Sequence, residues 1–404
     1  MVQLLQQNSL RGETMNVTIP MSPIEHTPIE AKPPVIKVMG LGGGGQNAVD
    51  RMIELGLSGV EFIAANSDAQ VLQSSLASQK IQRGPKLTRG LGAGGNPEVG
   101  EAAAEESCKE IAAALEGADM VFLTAGMGGG TGTGSISVAA QIAKKLGAVV
   151  IAIVSLPFSF EVGRRQKNAQ SGLTKLQPHT DTMITVPNDR LLQCAPRDLS
   201  LEMAFRMADD ILRQGVQGIS ELITQSGLIN VDFAHVRSMM KNGGGSLLAI
   251  GTSEGEGKAI NALEQALHHP MLEAINLEDA GGIIVNFTGS SDLSFVEVTD
   301  ALQYLQLRTS NETEIIPGII CDEVMEDRVQ VILVLTGIGA TSVDTTQRSV
   351  VEEVKNEPAS PVSVAAEDTS MLNPFIPSAE PQQMEMAVNQ NDLDIPAFLR
   401  RKVR

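Results

Sequence analysis

From Val35 onward the chain alternates short β-branched runs with stretches of helical period. The runs "VIKVMG", "VEFIAANSD", "MVFLTAG", "VVIAIV" and "TMITVPN" are separated by helix-like segments such as 48–55, 102–115 and 135–145. Parallel neighbours need a crossover element between them, so this order predicts an α/β domain with a doubly wound parallel sheet over 35–199. Next, "SLEMAFRMADDILRQGVQGISELIT" repeats Leu201, Phe205, Ala208, Leu212, Val216, Ile219 and Ile223 every three or four positions behind a capping Ser200. That spacing predicts one long central helix within 200–226. Beyond it, "SLLAIG", "GIIVNFT", "EIIPGII" and "VQVILVLT" alternate with fewer helices and predict a second, smaller α+β domain over 227–341. Residues 1–34 and 342–391 are polar, rich in proline and without period, the composition of a flexible extension and a linker.

Composition narrows the chemistry. With 404 residues, 42% of them hydrophobic, the chain can build a large core. Cys108, Cys194 and Cys321 stand far apart with no CxxC pair and no histidines at ligand spacing, which argues against a disulfide framework and against a zinc site. His268 and His269 before Pro270 read as a solvated loop. A formal charge of −18 disfavours the phosphate-backbone contacts of nucleic-acid binding. The longest aliphatic run, "VVIAIVSL", is far short of a membrane span, and the first residues lack the apolar core of a signal peptide, so a cytoplasmic location is expected.

Glycine placement points to a ligand. Ligands of open parallel sheets gather at the carboxyl ends of the strands, and there stand "GLGGGG" after the first run, "GLGAGGNPEVG" after the second and "GMGGGTGTGS" after the third. Main-chain N–H groups at helix N-termini, cleared of side chains, make an anion cradle, and three such loops predict a bound polyphosphate. Gly40, Gly42 and Gly45 also satisfy G-x-G-x-x-G, so a nicotinamide-dependent oxidoreductase is a rival. It lacks the acidic residue at the end of the second strand, where "FIAAN" closes on Asn66. No G-x-x-x-x-G-K-[ST] occurs, which excludes a P-loop.

"GGGTGTG", Gly128 to Gly134, resembles the tubulin signature. With "GGGGQNAV", "LGAGGNPEVG", "PFSFE", "VPNDRLL", "GLINVDF" and "DIPAFLR" in order, the chain resembles the FtsZ family of bacterial tubulin relatives over about 35–341 and again at its last dozen residues. The resemblance implies a GTP- or GDP-binding filament protein of the cell-division ring, with Mg²⁺ beside the phosphates. Residue by residue it implies that Gly43, Gly44, Gly45, Gln46 and Asn47 lie on the nucleotide, that Gly94 in the loop 92–96 faces the γ-phosphate, and that Gly130, Thr131 and Gly132 cradle the phosphates. It places Glu161 and Arg165 at the ribose and Asn188, Phe205 and Asp210 around the base. A carboxylate beside the base accepts from both N1–H and the amino group of guanine, whereas adenine presents an acceptor at N1, so guanine is the expected base. Phe205 has a competing reading as a core residue of the helical stripe.

The same resemblance implies head-to-tail filaments in which the loop "NVDFAHVR" of one subunit completes the hydrolytic site of the next. The family's loop usually carries two aspartates; here Asp232 holds the first position and His235 the second. Histidine near its ordinary pKa is largely neutral and lacks a carboxylate's charge, so slow or absent hydrolysis, as in a structural filament paralogue, is one expectation and a working histidine base the alternative. Gln46 replaces a glycine common in the family. The tail 392–404 groups Leu393, Ile395, Phe398 and Leu399 between Asp392 and Asp394 on one side and Arg400, Arg401, Lys402 and Arg404 on the other. It resembles the family's partner-binding peptide, implying a tether to membrane-associated division proteins rather than a span of its own.

Overall fold

A computed structural model describes residues 33–161, 163–193, 198–225, 231–241, 245–270, 272 and 276–338. The expectations for the N-terminal extension, the linker 342–391 and the tail 392–404 lie outside the described residues, apart from Pro33 and Pro34.

Ten strands form one sheet: β1 (Ile36–Leu41), β2 (Glu61–Asn66), β3 (Gln79–Gln82), β4 (Met120–Gly126), β5 (Val149–Leu156), β6 (Thr182–Pro187), β7 (Gly245–Glu254), β8 (Gly282–Gly289), β9 (Glu314–Cys321) and β10 (Arg328–Ile338). Their order is β3-β2-β1-β4-β5-β6-β7-β10-β8-β9. β3 through β7 are parallel, β10 runs antiparallel to both β7 and β8, and β8 pairs parallel with β9. Between the two halves β6 meets β7 at Met183↔Gly245 and Ile184↔Ser246 among the described residues.

Helices cover both faces of the first half: α1 (Gly42–Glu54), α2 (Ala69–Ser74), α3 (Pro97–Glu106), α4 (Cys108–Leu115), α5 (Thr131–Lys145), α6 (Arg164–Leu176), α7 (Asn188–Gln193) and α8 (Leu201–Thr224), followed by α9 (Phe233–Lys241), α10 (Lys258–Leu267) and α11 (Phe295–Gln306). The strand alternation explains the two-sided core. Met120 and Phe122 of β4 and Val149, Ile151 and Ile153 of β5 pack with Met52 of α1 and Leu212, Val216 and Ile219 of α8. Their intervening neighbours Val121, Leu123, Val150, Ala152 and Val154 pack with Ile111, Ile136 and Ala139 on the other face. Strands buried on both faces read as continuous apolar runs, as these do. On the second face α3 and α5 touch backbone to backbone: a Cβ on Gly134 would lie 1.9 Å from the Pro97 carbonyl oxygen.

Two expectations about the glycine loops change. α1 begins at Gly42 rather than near Ala48, because its first turn is held by tertiary contacts that hydrophobic period does not register. The loop "GLGAGGNPEVG" does not follow the second strand directly: α2 and the edge strand β3 intervene, and β3, "QKIQ", is four residues with one buried side chain, too short and polar to read as a strand.

α8 has the predicted cap, with the Ser200 hydroxyl oxygen accepting from Met203 N–H. Its 24 residues span about 36 Å at ~1.5 Å per residue. The helix packs on α1 and on β5, β6, β9 and β10, from both halves of the sheet.

Candidate functional site

A cavity of about 500 Å³ opens at the carboxyl ends of β1, β4, β5 and β6. Its floor is main chain. Gly43 and Gly44 in the first turn of α1, Gly126 after β4, and Gly129, Gly130, Thr131 and Gly132 at the start of α5 line it. Neither α1 nor α5 has a side-chain cap or an acidic residue in its first turn, so their leading N–H groups have no competing internal anion. α3 differs, because Asn96 accepts from Glu98 N–H at 3.1 Å and Glu98 occupies its first turn. Two of the three glycine loops therefore present open helix N-termini, not all three.

The glycines divide by role. A Cβ on Gly43 meets nothing within 4 Å, because it would project into the void. A Cβ on Gly45 would lie 2.3 Å from the Thr124 carbonyl oxygen, so Gly45 is required by the contact of α1 with β4 and does not line the cavity. Gln46, expected on the nucleotide, is buried instead, and its Nε2 donates to the Val71 carbonyl oxygen at 2.7 Å. It ties α1 to α2. Gly94, expected opposite the phosphates, is exposed with open space around it and lies outside the cavity lining, while its neighbours Ala93 and Asn96 pack on Gly130.

Asn47, Glu161, Arg165, Asn188 and Phe205 line the cavity. Glu161 is pinned by accepting from Phe158 N–H at 3.0 Å and forms an ion pair with Arg165 one turn later. Asn188 is buried, and among the described residues its Oδ1 has no hydrogen-bond partner. Phe205 belongs to the wall and not to the core: it is 41% exposed, held edge-on by the buried Phe158 ring at 5.3 Å.

One expected residue is displaced by a single position. Asp209, not Asp210, lines the cavity. Asp210 turns to its own helix, accepting from Arg213 Nε at 2.8 Å and from Gln214 Nε2 at 2.5 Å. Helix geometry explains the shift: Phe205 and Asp209 are four residues apart and share a face, while Asp210 is turned by about 100°. Burial pushes the Asp209 carboxyl up to about 7; the Arg51 guanidinium opposes that shift and the Asp210 charge adds to it. The missing signal was available in the i, i+4 spacing from Phe205.

Chemically, the arrangement has two uncapped helix N-termini suited to an anion and, elsewhere on its wall, Asn188 and Asp209, whose oxygens suit a heterocycle that carries donors. The residues fit a guanine nucleotide. Among the described residues no three His, Cys, Asp or Glu side chains gather to hold a metal.

Asp232 and His235 lie at the opposite edge of the sheet. α9 is fastened there by Arg237 Nη2, which donates to the Gly147 carbonyl oxygen just before β5, and by the Thr182 hydroxyl at the start of β6, which donates to the Met240 carbonyl oxygen. Asp232 caps α9, its Oδ1 accepting from Ala234 N–H at 3.0 Å. His235 Nε2 stands 2.5 Å from Glu314 Oε1 at the start of β9. Nothing local in the sequence flags Glu314, 79 residues away. Among the described residues no helix is long and apolar enough to cross a membrane.

The chain matches two family models: the Tubulin/FtsZ family GTPase domain over residues 35–196 and the FtsZ family C-terminal domain over 244–339. A structure of an empty FtsZ dimer from M. jannaschii is 44% identical, covers 77% of this chain and 90% of its own, and superposes with a TM-score of 0.74. CetZ2 from Haloferax volcanii, solved as a GTPγS-bound protofilament, is 22% identical over 75% of this chain and 93% of its own, with a TM-score of 0.64. CetZ1 from the same organism, solved as a GDP-bound monomer, is 21% identical over 75% and 94%, also at 0.64. The two CetZ likenesses speak to the fold alone.

Proposed function

The chain belongs to the Tubulin/FtsZ family of GTPases, and from that premise we propose that it binds GTP in the glycine-floored cavity and assembles head to tail, each subunit's Asp232 loop completing hydrolysis in the next. The observation that carries this reading is the division of the chemistry. The cavity holds the anion cradle and the base contacts at the carboxyl edge of the sheet, while the acidic loop stands at the amino edge, with α8 between them. No subunit can bring both to one γ-phosphate, but a head-to-tail contact can. Such a contact is heterologous and need not close, so its product is a filament.

Within the cavity Gly43, Gly44 and the start of α5 bind the phosphates, Glu161 and Arg165 hold the sugar side, and Asn188, Phe205 and Asp209 receive guanine. When bound with GTP, Mg²⁺ would supply charge neutralisation for phosphoryl transfer. The filament works in the cytoplasm as part of the division ring, tethered through the tail 392–404 to a membrane-associated partner.

Complementation tests the division of the site. Gly43→Val blocks the cavity and Asp232→Ala removes the loop carboxylate, so each protein alone should release little phosphate from GTP and Mg²⁺. Mixed, they form contacts that pair an intact cavity with an intact loop, and phosphate release should return to a measurable fraction of wild type. A mixture no more active than its components would overturn the trans-completed site.

A further inference from the structure

His235 occupies the position at which a carboxylate was expected, and the structure puts a carboxylate directly behind it. A carboxylate only accepts, so in the 2.5 Å contact with Glu314 Oε1 the hydrogen belongs to His235 Nε2, and in the neutral imidazole Nδ1 then carries the lone pair. The first turn of α9 fixes one partner and the first residue of β9 the other, so the pair bridges two elements far apart in sequence. Both side chains are open to solvent, 57% and 44% exposed. In the free subunit a pair so exposed contributes little to stability. It is placed where the next subunit would cover it, and excluding water there strengthens its charge interaction.

We propose that Glu314 is a positioning residue that makes His235 the general base for GTP hydrolysis in the neighbouring subunit. The inference rests on the trans-completed GTPase reading. The attacking water gives a proton to His235 Nδ1 as its oxygen bonds to the γ-phosphorus. The bond from that phosphorus to the β–γ bridging oxygen breaks, and its electron pair leaves with GDP. The imidazolium so formed is stabilised by Glu314, and its proton then passes to solvent. The pair supplies between two residues what one aspartate supplies elsewhere: a base and a negative charge. Asp232, with one oxygen committed to capping α9, orients the loop. Hydrolysis therefore proceeds in this protein, and the histidine is not a lesion.

The test compares Glu314→Gln in two backgrounds of the full-length protein, reading phosphate release per sedimented subunit. With His235 present, Glu314→Gln should lower turnover tenfold or more, about 1.4 kcal/mol in barrier. Glu314→Asp should keep a larger share, and assembly with GTPγS should be unchanged. In the His235→Asp background the sign should change, because there Glu314 faces a like charge and its neutralisation relieves repulsion. Equal losses in both backgrounds would show a structural role and overturn the proposal, as would wild-type turnover in Glu314→Gln. A wild-type protein that neither sediments nor releases phosphate with GTP and Mg²⁺ would overturn the GTPase reading itself, and this inference with it.

Discussion

The two poles of the molecule are built from different materials. The cavity is floored by backbone: glycines in the opening turns of α1 and α5, backed by strands buried on both faces. The loop pole is built from side chains, with Asp232, His235 and Glu314 standing on the surface of α9 and the start of β9. A main-chain cradle has few degrees of freedom, since adding one methyl group either fills the site or collides with the frame. A side-chain constellation tolerates exchange, because the charge lost at one position can be returned by a neighbour from another element.

The sharpest way to break this comparison is a matched pair of methyl groups. Gly45→Ala places a Cβ 2.3 Å from the Thr124 carbonyl oxygen, against backbone that has nowhere to move. Overpacking of that kind should destabilise the protein by about 3 kcal/mol or more, read in chemical denaturation. Gly43→Ala meets nothing within 4 Å. Replacing a helical glycine should leave stability equal or raise it by up to about 1 kcal/mol. Its methyl group enters the phosphate cradle, however, and should weaken GTP binding tenfold or more, measured by titration calorimetry. If both variants lost stability alike, the floor would be frame throughout and not a cradle.

Much of this was legible from sequence, for identifiable reasons. β4 and β5 were readable because strands buried on both faces read as near-continuous apolar runs, and α8 because its apolar period and Ser200 cap agree. β3 was not, since a four-residue polar edge strand has neither length nor pattern. Glycine counts pointed to a loop-lined site but could not say which glycines face the cavity: Gly43 and Gly45 are alike on paper and opposite in space. Gln46 was misplaced because its role, the bond to Val71, depends on a helix 25 residues away. Asp209 was within reach of helical geometry, and Glu314 was not, because only the fold brings it to His235.

The second test exploits that one-residue displacement. In the proposed complex the two oxygens of Asp209 would accept from N1–H and the amino group of guanine, whereas an amide at that position can accept only one of them. Asp209→Asn should therefore weaken GTP binding by roughly 10- to 100-fold, or about 1–3 kcal/mol. It should favour xanthosine triphosphate, whose carbonyl replaces the amino group and can accept from the new amide. Asp210→Asn breaks only contacts within α8, with Arg213 and Gln214, and should change GTP affinity by less than about twofold. A reversal of these two effects would return the base contact to Asp210.

The smallest effect is a proton. Burial holds the Asp209 carboxyl at about 7 in the free protein, above its unfolded value. A raised carboxyl pKa means that the folded state retains a proton the unfolded chain has lost. Its contribution to stability is therefore full below the unfolded value and disappears as pH rises through about 7. Guanine works in the other direction, because its N–H donors favour the ionised carboxylate and lower its pKa in the complex. Binding should thus release close to one proton at about pH 6 and almost none at about pH 8, with GTP affinity rising toward neutrality and then levelling. Calorimetry in buffers of different ionisation enthalpy measures that release directly. In Asp209→Asn the release should vanish, whereas proton release persisting in that variant would assign it to another group and leave Asp209 without a titrating part in base recognition.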